Sequence, residues 1–142
     1  MRKSIIYGDS LAGPYGIGAH PAWSRQLEEK AGTGVVQVIC KNGYTVSDLI
    51  ESLTRDVLSL APEAVILLCG TNDALTMRKA EDILSSVEFL CSEIRTFGAR
   101  PVWLMPPQID AQMAARTFGD PLPVYEMAND ELNQLRQLTR TS

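Results

Sequence analysis

Ala64-Val65-Ile66-Leu67-Leu68-Cys69, followed directly by Gly70-Thr71-Asn72-Asp73, is the longest apolar run of the chain and it breaks into a glycine-led polar turn. A run this short has strand length, far below the roughly 20 residues that cross a bilayer. Apolar character without alternation suits a strand covered on both faces of a parallel sheet. Outward from this stretch the same pattern repeats. Lys3 to Tyr7 leads into Gly8-Asp9-Ser10-Leu11, Val35 to Cys40 leads into Lys41-Asn42-Gly43-Tyr44-Thr45, and Pro101 to Met105 leads into a polar, proline-bearing segment from Pro106 to Leu122. Proline is tolerated at the first position of a strand, as Pro101 would be. Helical periods separate these runs. They are Pro21 to Ala31, with proline at the favoured first position; Val46 to Leu60, opened by Thr45; Lys79 to Phe97, stopped by Gly98; and Pro123 to Thr139. Leu49, Ile50, Leu53, Val57 and Leu58 in the second, and Ile83, Leu84, Val87, Leu90, Cys91 and Ile94 in the third, recur at three- and four-residue spacing and form core-facing stripes.

Strands alternating with helices predict β-α-β units around a parallel sheet, an α/β fold in a single domain over residues 1–142. The last helix would ordinarily feed another parallel strand. None follows it in the sequence, so a four-stranded sheet is expected, with the usual fifth strand missing. The fourth strand is then an exposed apolar edge, which invites a homo-oligomer through pairing with a second copy.

Composition narrows the function. Thirteen basic against seventeen acidic residues give a net charge of -4, without the basic stripe that binding to a phosphate backbone needs, so no nucleic-acid partner is expected. No membrane partner is expected either. Met1-Arg2-Lys3 imitates the start of a signal peptide, but only Ile5, Ile6 and Tyr7 follow before Gly8-Asp9, and a cytoplasmic location is the expectation. Cys40, Cys69 and Cys91 are odd in number and form no C-x-x-C pair, so they read as reduced thiols. No metal or organic cofactor is implied.

Ligands of open parallel α/β sheets bind outside the carboxyl ends of the strands, where the first three loops should converge. A serine on a tight glycine-bearing turn has an exposed hydroxyl, which makes Ser10 the candidate nucleophile for attack on a carbonyl. The Gly43 N–H and the Asn72 amide are candidate donors to a developing oxyanion. Asp9 reads as a turn residue, and Asp73 either helps hold the Asn72 loop or stabilises the turn itself. Asp110 and Asp120 read as solvated loop acids. Met105, Ile109, Met113 and Phe118 either line an acyl pocket or anchor a long loop.

The Gly8-Asp9-Ser10-Leu11 tetrapeptide, the Gly43 block and the Gly70-Thr71-Asn72-Asp73 block, in this order, resemble the SGNH or GDSL hydrolases. The resemblance implies a flavodoxin-like three-layer α/β/α sandwich and hydrolysis of a small-molecule ester or thioester. By motif, Ser10 matches the nucleophile, whose own N–H also serves the oxyanion hole, and Gly43 and Asn72 match the other two donors. The family's Asp-x-x-His block, whose histidine is the general base, has no counterpart. The single histidine, His20, sits in the first strand-to-helix loop and reads as a capping or surface residue ahead of Pro21. The expected function is therefore a serine hydrolase working through an acyl-Ser10 intermediate. The alternative is a non-catalytic pocket of the same shape that binds an acyl or acetylated ligand, or a protein partner. A phosphate-binding flavodoxin-like domain is a third reading, which leaves the Asn72 block unexplained.

Overall fold

The computed structural model describes residues 3–9, 27, 29–32, 34–41, 43–106, 109, 111–119 and 121–141. Four five-residue strands, β1 (Ser4–Gly8), β2 (Val36–Cys40), β3 (Ala64–Leu68) and β4 (Arg100–Leu104), form one parallel sheet in the order β2-β1-β3-β4. That is the flavodoxin-like order, whose direction of winding reverses between β1 and β3. All four strands lie where the apolar runs predict them, within a residue at each end.

The register sorts the side chains by face. Tyr7 stands opposite Ile39 and Leu67, and Leu67 opposite Trp103. This row faces the core, together with Ile5 and Val65, and is covered by the apolar sides of α1 (Val46–Asp56), α3 (Ala80–Phe97) and α5 (Leu122–Thr141). Leu49, Ile83, Leu90, Ile94, Leu132 and Leu135 are fully buried there, so the three- and four-residue spacing read from the sequence is the packing stripe. The Tyr7 hydroxyl crosses the layer and donates to the Leu49 carbonyl at 2.9 Å, which ties β1 to α1 and satisfies the phenolic hydroxyl within the core. On the opposite face Ile6 aligns with Val38 and Ile66, and Ile66 with Val102. Leu27 and residues 29–31 are helical; the rest of the helix expected from Pro21 lies outside the described residues.

Three differences from the sequence reading have local causes. The helix expected over Val46 to Leu60 ends at Asp56 and continues as a 3-10 turn over Leu58–Leu60. Pro62 disfavours helical geometry at the residue before it, and Ala61 turns into the left-handed region at φ 50°. Two short helices occupy segments expected to be loops, α2 (Thr71–Leu75) and α4 (Ala111–Phe118). Neither is long enough to display a clear period. Ala114 of α4 is buried, and Ile109 just before the helix is held by Asn129 of α5, whose side chain accepts from the Ile109 N–H at 2.7 Å and donates to its carbonyl at 2.9 Å. Ile109 is thus a core anchor for the loop, and Met105 also packs against the core. The side chains of Met113 and Phe118, and all of Asp110 and Asp120, lie outside the described residues.

Among the described residues β4 pairs only with β3 and is the sheet edge. The Arg100 N–H points inward to the Glu63 carbonyl, so the intervening Pro101 and Trp103 turn their backbones outward. Proline brings no N–H to that edge, which blunts it as a pairing template. Val102 and Leu104 are 39% and 40% exposed. Cys40 and Cys91 are half-buried and Cys69 is buried, all three as free thiols. No described helix is long and apolar enough to cross a membrane.

Two glycines carry the strand ends for different reasons. A Cβ on Gly8 would run into the Leu68 carbonyl, because β1 and β3 lie closely side by side there. Gly43 has open space around it but sits at φ +82°. Gly8→Ala is expected to lower stability by about 1–3 kcal/mol or more, and Gly43→Ala by about 1–2 kcal/mol from backbone strain alone. Urea midpoints of the two variants measure both costs.

Candidate active site

The carboxyl end of the sheet brings three turns together. After β1, Asp9 is buried and donates its N–H to the Leu68 carbonyl at 3.0 Å, so the backbone stays bonded to β3 for one residue beyond Gly8. Ser10 follows directly in sequence and lies, with His20, outside the described residues. After β2, the Lys41 N–H is taken by the Gly8 carbonyl at 3.0 Å and Lys41 in turn accepts from the Tyr44 N–H at 3.2 Å, closing a tight turn around Gly43. Thr45 then opens α1, with its N–H and hydroxyl both donating to the Asp48 carboxylate, at 3.0 and 3.1 Å. This is the reciprocal cap that an N-terminal threonine with an acid three residues on can make.

After β3, Gly70 adopts φ +117° and the chain enters α2 at Thr71. The Asn72 amide donates to the Tyr44 carbonyl at 2.9 Å. Asp73, with no exposed surface, accepts from the Val46 N–H at 3.0 and 3.3 Å and pairs with the Arg78 guanidinium at 2.9 Å. The other Arg78 nitrogen reaches the Asp82 carbonyl at 3.1 Å and the Ser86 hydroxyl at 3.0 Å. The third loop is therefore clamped onto the second at two points, and a negative charge sits against the first amides of α1, where a helix favours it. Burial raises the Asp73 carboxyl above its ordinary value, while the Val46 N–H and Arg78 pull it back down.

Gly43 and Asn72, singled out in the sequence as oxyanion donors, are brought to one place by this clamp, since Asn72 bonds the carbonyl next to Gly43. The Asn72 amide has two N–H groups. One is spent on Tyr44, which fixes the orientation of the side chain, and no described residue accepts the other. No described residue accepts the Gly43 N–H either. Cys69, close by at the end of β3, is not a rival nucleophile: burial, with Asp9 and Asp73 adding to it, pushes its thiol well above the ordinary range, so it stays protonated. Arg78 was not legible in the sequence, because a five-residue separation matches neither helical nor strand neighbours and the pairing arises from the turn at residues 76–79.

Asp73→Asn turns an amide toward Arg78 and leaves the guanidinium without its partner, with an expected cost of about 1–3 kcal/mol. The pH dependence has a definite sign. A carboxyl raised above 3.8 takes up its proton more readily folded than unfolded. The stability of the parent relative to Asp73→Asn is therefore greatest below that value and declines as pH rises through the Asp73 titration, opposite to an acid whose pKa a salt bridge depresses. Urea unfolding of both proteins across the acid range checks magnitude and slope.

Comparison with known proteins gives the family and the fold. Residues 6–142 match the GDSL-like Lipase/Acylhydrolase family. Among solved structures, a G-D-S-L family protein from Desulfitobacterium hafniense DCB-2 superposes with a TM-score of 0.76 at 18% identity, covering 99% of this chain and 71% of that one. The lipase/acylhydrolase from Enterococcus faecalis gives 0.62 at 23% identity, covering 95% and 71%. The acetylxylan esterase Axe2 from Geobacillus stearothermophilus gives 0.58 at 19% identity, covering 98% and 73%. These likenesses concern the fold. A comparison with curated proteins gave no match. The family match spans nearly the whole sequence, and the chain belongs to the GDSL-like lipase/acylhydrolase family.

Proposed function

We propose that the protein hydrolyses a carboxylic ester or thioester through an acyl-Ser10 intermediate. In this scheme the Ser10 hydroxyl oxygen bonds to the carbonyl carbon and its proton passes to a general base. The carbonyl oxygen gains charge and is held by the N–H groups of Ser10 and Gly43 and by the Asn72 N–H that Tyr44 does not take. Collapse of the tetrahedral species expels the alcohol or thiol, which leaves with that proton, and water then releases the acid by the same steps in reverse. The observation that carries this reading is the Asn72 to Tyr44 bond, which holds one donor rigidly beside the turn that presents another. Donors fixed in advance cost no reorganisation when charge develops, and losing one such donor costs roughly 10²–10³ in kcat.

The base is the open position. The sequence has one histidine, His20, and no Asp-x-x-His. The second reading is a pocket that binds an acyl or acetylated ligand without cutting it. A serine without a base is a weak nucleophile, so the two readings separate cleanly in activity.

Fluorophosphonate labelling and turnover of p-nitrophenyl acetate by the whole chain are expected, with both abolished in Ser10→Ala. Asn72→Ala should lower kcat by about 10²-fold or more while the protein stays folded by circular dichroism. Loss of activity in His20→Ala makes His20 the base. A folded parent that neither labels nor turns over substrate overturns the hydrolase reading in favour of the binding one.

A further inference from the structure

Backbone groups alternate along a strand, so in β4 Arg100, Val102 and Leu104 direct theirs to β3, while Pro101 and Trp103 direct theirs away from it. The Met105 N–H lies in the same planar peptide as the Leu104 carbonyl, points opposite to it, and so joins the outward row. That row reads, in order, the Pro101 carbonyl, the Trp103 N–H and carbonyl, and the Met105 N–H. No described residue bonds any of them. Such a row is a template for another strand.

The row is complementary to itself. Laid antiparallel on a second copy about a two-fold axis at Trp103, it lets the two Trp103 backbones exchange both of their bonds, and each Met105 N–H meets the Pro101 carbonyl of the other chain. Proline's missing N–H then costs only a bond to the Met105 carbonyl. Antiparallel positions that exchange no bonds hold their side chains closest, and in this register they pair Val102 with Leu104 on both sides of the axis. These are the two exposed apolar side chains of the strand, at 39% and 40%, and the pairing buries each against the other. Arg100 and its copy lie about 20 Å apart along the ribbon at roughly 3.3 Å per residue, so like charges stay separated. Moving the axis to Val102 would set Pro101 opposite Trp103, leaving each Trp103 carbonyl unpaired, and Arg100 opposite Leu104. Proline thus selects a register rather than closing the edge.

We propose that β4 is the interface of a two-fold homodimer, in which two four-stranded sheets join into one of eight through an antiparallel pair centred on Trp103. A two-fold pairing consumes both edges and stops at two chains, whereas pairing β4 with the outer side of β2 in another copy would leave new edges and an open assembly. The two β4 strands run in opposite directions, so the carboxyl ends of the sheets point apart and each candidate site stays on its own chain. The dimer is independent of the hydrolase reading.

Sedimentation velocity of the whole chain over a concentration series is expected to show a reversible shift from the mass of one chain to that of two. Val102→Lys and Leu104→Lys each set a charge against an apolar neighbour twice per dimer, and each should raise the dimer Kd about tenfold or more. Both positions are exposed, and circular dichroism confirms the fold of the variants. The register has its own readout. Mixed under oxidised glutathione, Val102→Cys and Leu104→Cys chains should form a disulfide between the two different chains, located by peptide mass, while Val102→Cys alone should not link 102 to 102. A parent that stays monomeric throughout the series overturns the proposal, as does a dimer that the lysine variants leave intact. A disulfide joining 102 to 102 overturns the pairing centred on Trp103.

Discussion

A carboxylate that loses all its water must recover hydrogen bonds and countercharge from the protein, and Asp73 does so with the first amide of α1 and the guanidinium of Arg78. That requirement organises the end of the sheet where the candidate site lies. Asp73 can accept from Val46 only if α1 begins directly against α2, which places Thr45, Tyr44 and the Gly43 turn beside Asn72. The Asn72 to Tyr44 bond then follows at no further cost in ordering, because both partners are already held. Breaking the clamp frees the second loop from the third, and Gly43 and Asn72, the two candidate oxyanion donors, belong to different loops.

The sheet supplies the platform for that clamp. At the switch between β1 and β3 the backbones run so close that position 8 admits no side chain, and the ladder continues past the strand through Asp9 and Lys41. The core face is sealed by three helices whose stripes meet Tyr7, Val65 and Leu67. The other face is less covered toward β4, where Val102 and Leu104 remain part-exposed beside an edge that Pro101 blunts. The expectation of an inviting edge strand therefore needs tempering. The strand is at the edge, but one of its outward positions has no N–H to offer.

The active-site face also divides by polarity. Gly43 and Asn72 lie together at the carboxyl end of the sheet, and beside them α1 carries the charged side chains of Asp48, Glu51 and Arg55.

The sequence by itself determined the strands, the main helices and the parallel α/β class. Those signals are local: an apolar run bounded by glycine, a recurrence of three and four residues, a tetrapeptide at the end of a strand. It left Asp73 with two readings, a residue that holds the Asn72 loop or one that stabilises its turn. The tertiary structure alone decided what Asp73 holds it to, since Val46 and Arg78 come to it through a crossover and an irregular turn that no periodicity encodes. It decided as well that α4 is a helix and that Ile109 belongs to the core, because a segment of eight residues gains its helical stability from packing on α5 and from the Asn129 bonds, not from its own sequence. The cleft along α1, lined by Gly43, Tyr44, Asp48, Glu51, Ser52 and Arg55, belongs to the same class. The placement of the Gly43 turn at its mouth is tertiary, because the clamp at Asp73 holds the turn and the helix against the third loop.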